Sequence, residues 1–171
     1  MGRTKLFFPL LFIWILNSPA SARLNPKQYI HKFAPLAIHR MHIYQIPASV
    51  ILGVAFLESG YGNSKNAILL HNHFGLVGQN NLRKTGRYRS VYKQFKNDTF
   101  SFDYFSRTLV SKKYYPKLKG KLYYKVWLAN IHNHHYAKSK LLWVRRIASI
   151  IRKYHLYRFD IDLRKKNRIN G

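Results

Sequence analysis

The most informative stretch of this chain is residues 54–64, which read VAFLESGYGNS. An apolar run with helical spacing ends there in a glutamate, and glycines punctuate the turn that follows. Glu58 continues the row that contains Val54 and Ala55, so helical geometry predicts that its carboxylate lies on the apolar face. We expect Gly60 to end the helix in a left-handed cap and Gly62 to leave the backbone beside the carboxylate uncovered.

This placement of Glu58 indicates acid chemistry. Apolar neighbours and the negative end of a helix dipole both disfavour a carboxylate, so we expect the pKa of Glu58 to be raised. A general acid needs such a shift to hold its proton near neutral pH. The alternative is a helix-end glutamate in a salt bridge. The facing direction and the scarcity of acids in the chain favour the catalytic interpretation.

Composition limits the class of protein. The 171 residues suffice for one domain with a hydrophobic core, and 47% of them are hydrophobic, which excludes disorder. Lys and Arg number 31 against 5 Asp and Glu, a formal charge of +26. Such a surface favours a polyanionic partner: nucleic acid, an anionic membrane or an anionic cell-wall polymer. Cysteine is absent, so no disulfide or thiolate metal site can form.

The first 22 residues predict export. Arg3 and Lys5 precede an apolar run over residues 6–16, and the small-residue sequence PASA at 19–22 resembles a signal-peptidase site. The apolar run is shorter than the ~20 residues that span a bilayer, although an uncleaved anchor is the alternative. We expect cleavage after Ala22, with no stable membrane insertion afterwards. The protein would then act in the periplasm, cell envelope or extracellular space, away from nucleic acid.

The remaining chain reads as one domain, residues 23–163, followed by a basic tail, residues 164–171. Asn25 and Pro26 predict the N-cap and first position of a helix. Helical periodicity dominates, and residues 75–97 alone suggest an irregular β-hairpin. The expected fold class is mainly α (α+β), with one small β-hairpin lobe after the glutamate helix.

Several motifs resemble one known family. Residues 57–64 (LESGYGNS) look like the L-E-S-G-[WY]-G-x-S motif of bacterial peptidoglycan β-N-acetylglucosaminidases, of the autolysin and flagellar muramidase type. Residues 71–76 (HNHFGL) are similar to that family's N-N-x-F-G-[IL], with a histidine replacing the first asparagine. Further similarities follow in order at residues 92–95, 101–102, 124–127, 136–137 and 154–157. The resemblance implies a lysozyme-like fold with Glu58 as general acid.

A second catalytic carboxylate is harder to find. The family commonly has an acidic residue in the hairpin, whereas residues 75–97 contain none. Asp103 is the best replacement; we interpret Asp98 as a helix cap, and Asp160 and Asp162 as surface charges. Three alternatives stay open: the substrate's N-acetyl oxygen as nucleophile, a lytic transglycosylase that uses the sugar's own hydroxyl, or a protein that has lost catalysis and kept binding.

Four residues are candidates for binding substrate. Tyr61 and Phe74 could stack on sugar rings or simply pack in the core. Asn72 could bind an acetamido or hydroxyl group or cap a loop. The resemblance implies that Tyr136 lines the site, where its hydroxyl could orient an acetamido group. The cluster His132, His134 and His135 invites a zinc site, but no helical i, i+4 pair or nearby acid supports one, so we expect no metal and no cofactor.

The leading hypothesis is an exported peptidoglycan hydrolase that cleaves β-1,4 bonds next to N-acetylglucosamine. Its partners would be peptidoglycan glycan strands and anionic cell-envelope polymers. The second hypothesis is a non-catalytic protein that binds the cell wall or another polyanion on a degenerate enzyme scaffold. A third, nucleic-acid binding in the cytoplasm, requires that the N-terminal 22 residues be retained.

Overall fold

The computed structural model describes residues 23–132 and 140–161. Within these ranges the chain is mainly helical, as the sequence predicts. The helices are α1 Pro26–Tyr44, α2 Ala48–Glu58, α3 Lys65–Leu70, α4 Asn81–Lys84, α5 Asp98–Val110, α6 Tyr115–Leu118, α7 Tyr124–His132, α8 Lys140–Lys153 and a 3-10 helix, Leu156–Asp160. None of the helices in the described ranges is long and apolar enough to cross a bilayer. The predicted signal peptide and the basic tail lie outside these ranges.

Helix α1 begins where the sequence predicts it. The Asn25 side chain accepts a hydrogen bond from the backbone N–H of Gln28, and the Gln28 side chain accepts one from the N–H of Asn25. Pro26 occupies the first turn, where its missing N–H costs nothing. One face of α1 then buries Tyr29 and Phe33 in the core. The local sequence signals therefore set the start of this helix.

Helix α2 lies at the centre of the core. Every residue from Ala48 to Phe56 is buried, so the helix needs partners on all sides. α1, α8 and the 3-10 helix supply them. A Cβ on Gly53 would lie 3.0 Å from Ile151 Cγ1 and 3.1 Å from Ile147 Cγ2, so any larger residue would press on both α8 side chains. The core thus fixes the helix that ends in Glu58.

The interpretation of Asp160 as a surface charge is wrong. Asp160 is 1% exposed, and its carboxylate accepts hydrogen bonds from the Ser49 N–H at 2.9 Å and the Ser49 hydroxyl at 2.7 Å. Pro47, which precedes α2, provides no side-chain cap. Asp160 therefore satisfies an N-terminal N–H of α2 from a distant part of the chain, and its negative charge also suits the helix dipole.

The lobe between α3 and α5 does not form the expected β-hairpin. Its described residues contain a single antiparallel bridge, Val77 to Tyr92, and the short helix α4 interrupts the segment. Backbone hydrogen bonds still join its two segments, from the N–H groups of Gly78, Lys93 and Gln94 to the carbonyl oxygens of Val91, Leu76 and Gln79. Asparagine side chains add to them: Asn72 donates to the carbonyl oxygens of Leu76 and Lys93, each at 2.8 Å. Asn80 donates in the same way to two carbonyl oxygens of the returning segment. Backbone and side-chain hydrogen bonds together thus hold two extended segments in place where strands were expected.

Candidate active site

Glu58 lies where the sequence predicts it, at the end of α2 on a half-buried face. Burial raises the pKa of Glu58, because the carboxylate is poorly solvated there. A hydrogen bond from Trp143 acts in the opposite direction but does not cancel the effect. The net result is a carboxyl group that retains its proton to a higher pH than an exposed glutamate.

Trp143, on α8, fixes one oxygen of this carboxyl group. Its indole N–H donates to Oε1 of Glu58 at 2.6 Å, and the indole is 5% exposed. An indole nitrogen can only donate, so Oε1 must accept in both protonation states of the glutamate. The carbonyl oxygen of a carboxyl group is its better acceptor, so this bond favours placing the acidic proton of neutral Glu58 on the other oxygen, Oε2.

Gly75 lies on the Oε2 side. A Cβ at Gly75 would lie 3.7 Å from Glu58 Oε2 and 3.9 Å from Tyr92 Cε1. The residue has φ +64°, a conformation that glycine adopts without strain. Glu58, Trp143, Gly75 and Tyr92 thus meet in one place, and the absence of a side chain at Gly75 leaves room beside the proton-bearing oxygen.

The turn after Glu58 is left-handed over three residues. Gly60, Tyr61 and Gly62 have φ values of +55°, +43° and +83°. Gly60 is left-handed as predicted, but Gly62 has a different role from the one expected. A Cβ there would lie 2.9 Å from the Tyr29 ring, so glycine is needed for packing against α1. Gly75, which the sequence analysis did not single out, provides the uncovered backbone near Glu58.

A buried hydrogen-bond chain holds this turn from behind. Nε2 of His73 lies 3.1 Å from Asp98 Oδ1, Nδ1 of His73 lies 3.1 Å from the Tyr29 hydroxyl, and that hydroxyl lies 3.3 Å from Ser59 Oγ. Ser59 Oγ in turn accepts the Gly62 N–H at 2.8 Å. The residue next to Glu58 is therefore anchored to both α1 and α5.

The expected substrate-binding residues fall into different environments. Tyr61 belongs to the motif at residues 57–64 and packs on Phe56. It is 37% exposed, so part of its ring remains available to a ligand. Asn72 is 1% exposed, and both ends of its amide bond the lobe backbone. Phe74 is fully buried and stacks on Phe105 at 4.1 Å. The structure thus places Asn72 and Phe74 in supporting positions, and Tyr136 lies outside the described residues.

The carboxylate of Asp103 is engaged away from Glu58. Oδ1 accepts hydrogen bonds from Arg40 at 2.8 Å and from the Tyr44 hydroxyl at 2.9 Å, while Oδ2 pairs with Arg107 at 2.7 Å. The side chain of Arg40 is only 10% exposed. Asp103 therefore neutralises the charge of the nearly buried Arg40 between α1 and α5. This structural role explains the presence of an aspartate here without a catalytic function.

Asp98 does not cap its helix as expected. Asn97 is the N-cap of α5, and Asp98 Oδ1 instead lies 2.8 Å from His71 Nδ1 and 3.1 Å from His73 Nε2. Burial tends to raise the pKa of Asp98, but the bonds from His73 and His71 outweigh it and hold the pKa at about 2.

The described part of the chain contains no cluster of His, Asp or Glu suited to a metal ion. His134 and His135 lie outside it.

Trp143 and Gly75 are the site residues that the sequence analysis missed. Trp143 lies four residues before Ile147, on the same buried stripe of α8, so its burial was readable from helical spacing. Its contact with Glu58 was not, because 85 residues separate the two. Tyr92 was noted as a motif residue but not as a neighbour of the acid.

A carboxyl group with a raised pKa at the end of a buried helix is the kind of group that glycoside hydrolases use as a general acid. Residues 34–156 match the glucosaminidase family model, described as mannosyl-glycoprotein endo-beta-N-acetylglucosaminidase. The chain belongs to this family, which confirms the resemblance and the expected enzyme class, an endo-β-N-acetylglucosaminidase.

A solved structure supports the fold. The catalytic domain of the autolysin Auto from Listeria monocytogenes matches with a TM-score of 0.63 and 19% identity, over 82% of this chain and 92% of that one. At this identity the similarity concerns the fold alone, and it fits the lysozyme-like architecture expected from the sequence. No curated protein matches the chain.

Proposed function

We propose that this protein hydrolyses peptidoglycan at β-1,4 bonds next to N-acetylglucosamine, with Glu58 as the general acid. The observation that carries the proposal is the asymmetry of the Glu58 carboxyl group. Trp143 holds Oε1, and the proton-bearing Oε2 faces the space that Gly75 leaves open. The fold of an autolysin catalytic domain favours peptidoglycan among the substrates that contain N-acetylglucosamine.

The second catalytic group is proposed to be the substrate itself. Each of the other carboxylates in the described ranges is bonded elsewhere: Asp98 to two histidines, Asp103 to two arginines, and Asp160 to Ser49. In this route the acetamido oxygen attacks the anomeric carbon while Glu58 gives its proton to the departing sugar oxygen. Water then opens the cyclic intermediate and returns a proton to Glu58, leaving a reducing end. Tyr136 is proposed to orient the acetamido group.

Export and attraction to the wall complete the proposal. We take residues 1–22 as a signal peptide, 23–163 as the catalytic domain and 164–171 as a basic tail. The four carboxylates in the described ranges are all bonded to partners within the protein. Little negative charge is therefore left to balance the many lysines and arginines of the surface. Such a surface suits an anionic cell envelope. Intact-mass measurement of the secreted protein tests the cleavage after Ala22.

The decisive experiment is mass spectrometry of purified sacculi digested with residues 23–171. The proposal predicts muropeptides with reducing N-acetylglucosamine ends. Anhydro ends would instead indicate a lytic transglycosylase, and reducing N-acetylmuramic acid ends would indicate cleavage of the other bond. Unchanged sacculi that still bind the protein would favour the second candidate, a wall-binding protein without catalysis. Within the described ranges, the other three carboxylates are bonded to other partners, and this observation favours that second candidate.

A further inference from the structure

The outer face of the lobe carries a groove that the catalytic proposal does not use. The segment that passes Glu58 has neighbouring side chains on opposite faces, as extended backbone requires. Tyr92 lies on the side of Gly75 and Glu58. Lys93 lies on the other side, where its ammonium sits 4.9 Å from the Tyr104 ring of α5. Tyr92 and Lys93 therefore have different surroundings.

Aromatic side chains form one part of this outer groove. Phe100 and Tyr104 are one helical turn apart on α5 and are 53% and 43% exposed. They line a cavity of about 430 Å³ together with Lys93, Lys96 and Arg107. Large exposed rings on a helix seldom serve the core, and their flat apolar faces suit the C–H faces of sugar rings. Their position among cations suggests a sugar that carries negative charge.

Amide side chains form the other part. The cavity of about 400 Å³ on the adjoining side shares residues 93–96 and is also lined by Gln79 and Asn81. Amides can donate to and accept from sugar hydroxyl and acetamido groups. Asp103, the carboxylate that lines the aromatic part, is neutralised by Arg40 and Arg107. The groove thus combines rings, amides and an excess of positive charge, because Lys93, Lys96 and Arg107 stand against the single carboxylate of Asp103.

We infer that this outer groove is an accessory binding site for a second segment of anionic wall glycan, whose carboxylates contact Lys93, Lys96 and Arg107 while its rings stack on Phe100 and Tyr104. The choice of wall glycan rests on the proposed function. Because neither Glu58 nor Gly75 lines the two cavities, a strand held there stays bound while another is cleaved. The site would increase retention on the insoluble wall without taking part in the chemistry.

The test uses sacculi stripped of attached phosphate polymers, with binding measured by co-sedimentation in a Glu58→Gln background so that cleavage does not interfere. Phe100→Ser should weaken binding about fivefold or more, as truncation of an aromatic anchor commonly does. Its control is Ile43→Ser, which removes an apolar side chain of similar exposure, 51%, from α1. Lys96→Gln should weaken binding more than Lys125→Gln, which removes the same charge from exposed surface on α7.

Cleavage of a short soluble glycan by otherwise wild-type enzyme should be unchanged in Phe100→Ser and Lys96→Gln. The inference is overturned if Phe100→Ser binds the sacculi as tightly as Ile43→Ser, or if Lys96→Gln and Lys125→Gln weaken binding equally. It is likewise overturned if cleavage of the soluble glycan falls together with binding. It is also overturned if Phe100 matters only on walls that retain phosphate polymers, since the occupant would then be that polymer. The binding assay requires no cleavage, so it can fail or succeed independently of the proposed hydrolysis.

Discussion

The Trp143 indole N–H donates a 2.6 Å hydrogen bond to Oε1 of Glu58, which joins the first turn of α8 to the end of α2. The two residues are 85 positions apart in the chain. The bond stabilises the charged form of Glu58, yet burial keeps the pKa of the glutamate raised. Trp143 therefore orients the carboxyl group of Glu58 and limits the rise of its pKa at the same time.

Trp143→Phe should reduce kcat/KM about 10- to 100-fold, because the carboxyl group loses the donor that orients it. The pKa of Glu58 should rise further once the bond that stabilises the carboxylate is gone. A general acid works in its protonated form, so activity is lost as pH rises through that pKa. The alkaline limb of the pH–rate profile should therefore move to higher pH.

Trp127→Phe is the matched control for this variant. The Trp127 indole is fully buried and donates a 2.7 Å hydrogen bond to the Lys121 carbonyl oxygen. Its loss should lower stability and leave the pH–rate profile in place. If Trp143→Phe also leaves the profile unmoved at a normal rate, Trp143 does not act on the acid.

Asp103→Asn should affect stability more than chemistry. Arg40 would keep a neutral partner in place of a carboxylate, and breaking a nearly buried ion pair costs about 3–5 kcal/mol. On a soluble glycan, kcat should fall less than ~10-fold, which corresponds to about 1.4 kcal/mol of barrier. Tyr136→Phe should reduce kcat more, if that hydroxyl orients the acetamido group. The reverse ranking would assign Asp103 to catalysis and remove substrate assistance.

Asp98 should stabilise the protein in a pH-dependent way. Its pKa is about 2 in the folded protein, below the ordinary aspartate value of 3.8. The stabilisation is therefore present above pH 4 and is lost as pH falls through 2. Full ionisation contributes about 2 kcal/mol, of which about half remains at pH 3. Denaturant unfolding of wild type and Asp98→Asn should show a difference that shrinks from pH 5 to pH 3; a constant difference would contradict this.

Asp160→Ala should lower the free energy of unfolding by about 2–4 kcal/mol, because α2 loses its only side-chain cap and buried Ser49 donors lose their acceptors. Asn97→Ala, which removes the exposed N-cap of α5, should cost only about 1 kcal/mol. Chemical denaturation of the two variants and the wild type would measure both losses. Equal losses in the two variants would show that burial of Asp160 adds nothing to an ordinary cap.

The parts of the structure that depend on neighbouring residues were predictable. The start of α1 at Asn25 and Pro26, and the facing direction of Glu58, follow from local spacing and capping chemistry. The contacts of Asp160 and Trp143 were not predictable, because they depend on how distant helices pack. The lobe illustrates a different limit. Its sequence predicted an irregular β-hairpin, but the described segment forms one isolated bridge, and the amides of Asn72 and Asn80 supplement its backbone hydrogen bonds.

The most direct test of the account is the rate at which Glu58→Gln cleaves a soluble glycan fragment, compared with wild type at equal thermal stability. The amide keeps the size of the side chain and can still accept from Trp143, but it has no proton to give. If Glu58 is the general acid, the cleavage rate should fall ~10²- to 10⁴-fold, the usual contribution of general acid catalysis. A variant that keeps more than about a tenth of wild-type turnover, a cost below ~1.4 kcal/mol of barrier, would contradict the assignment of Glu58 as the acid.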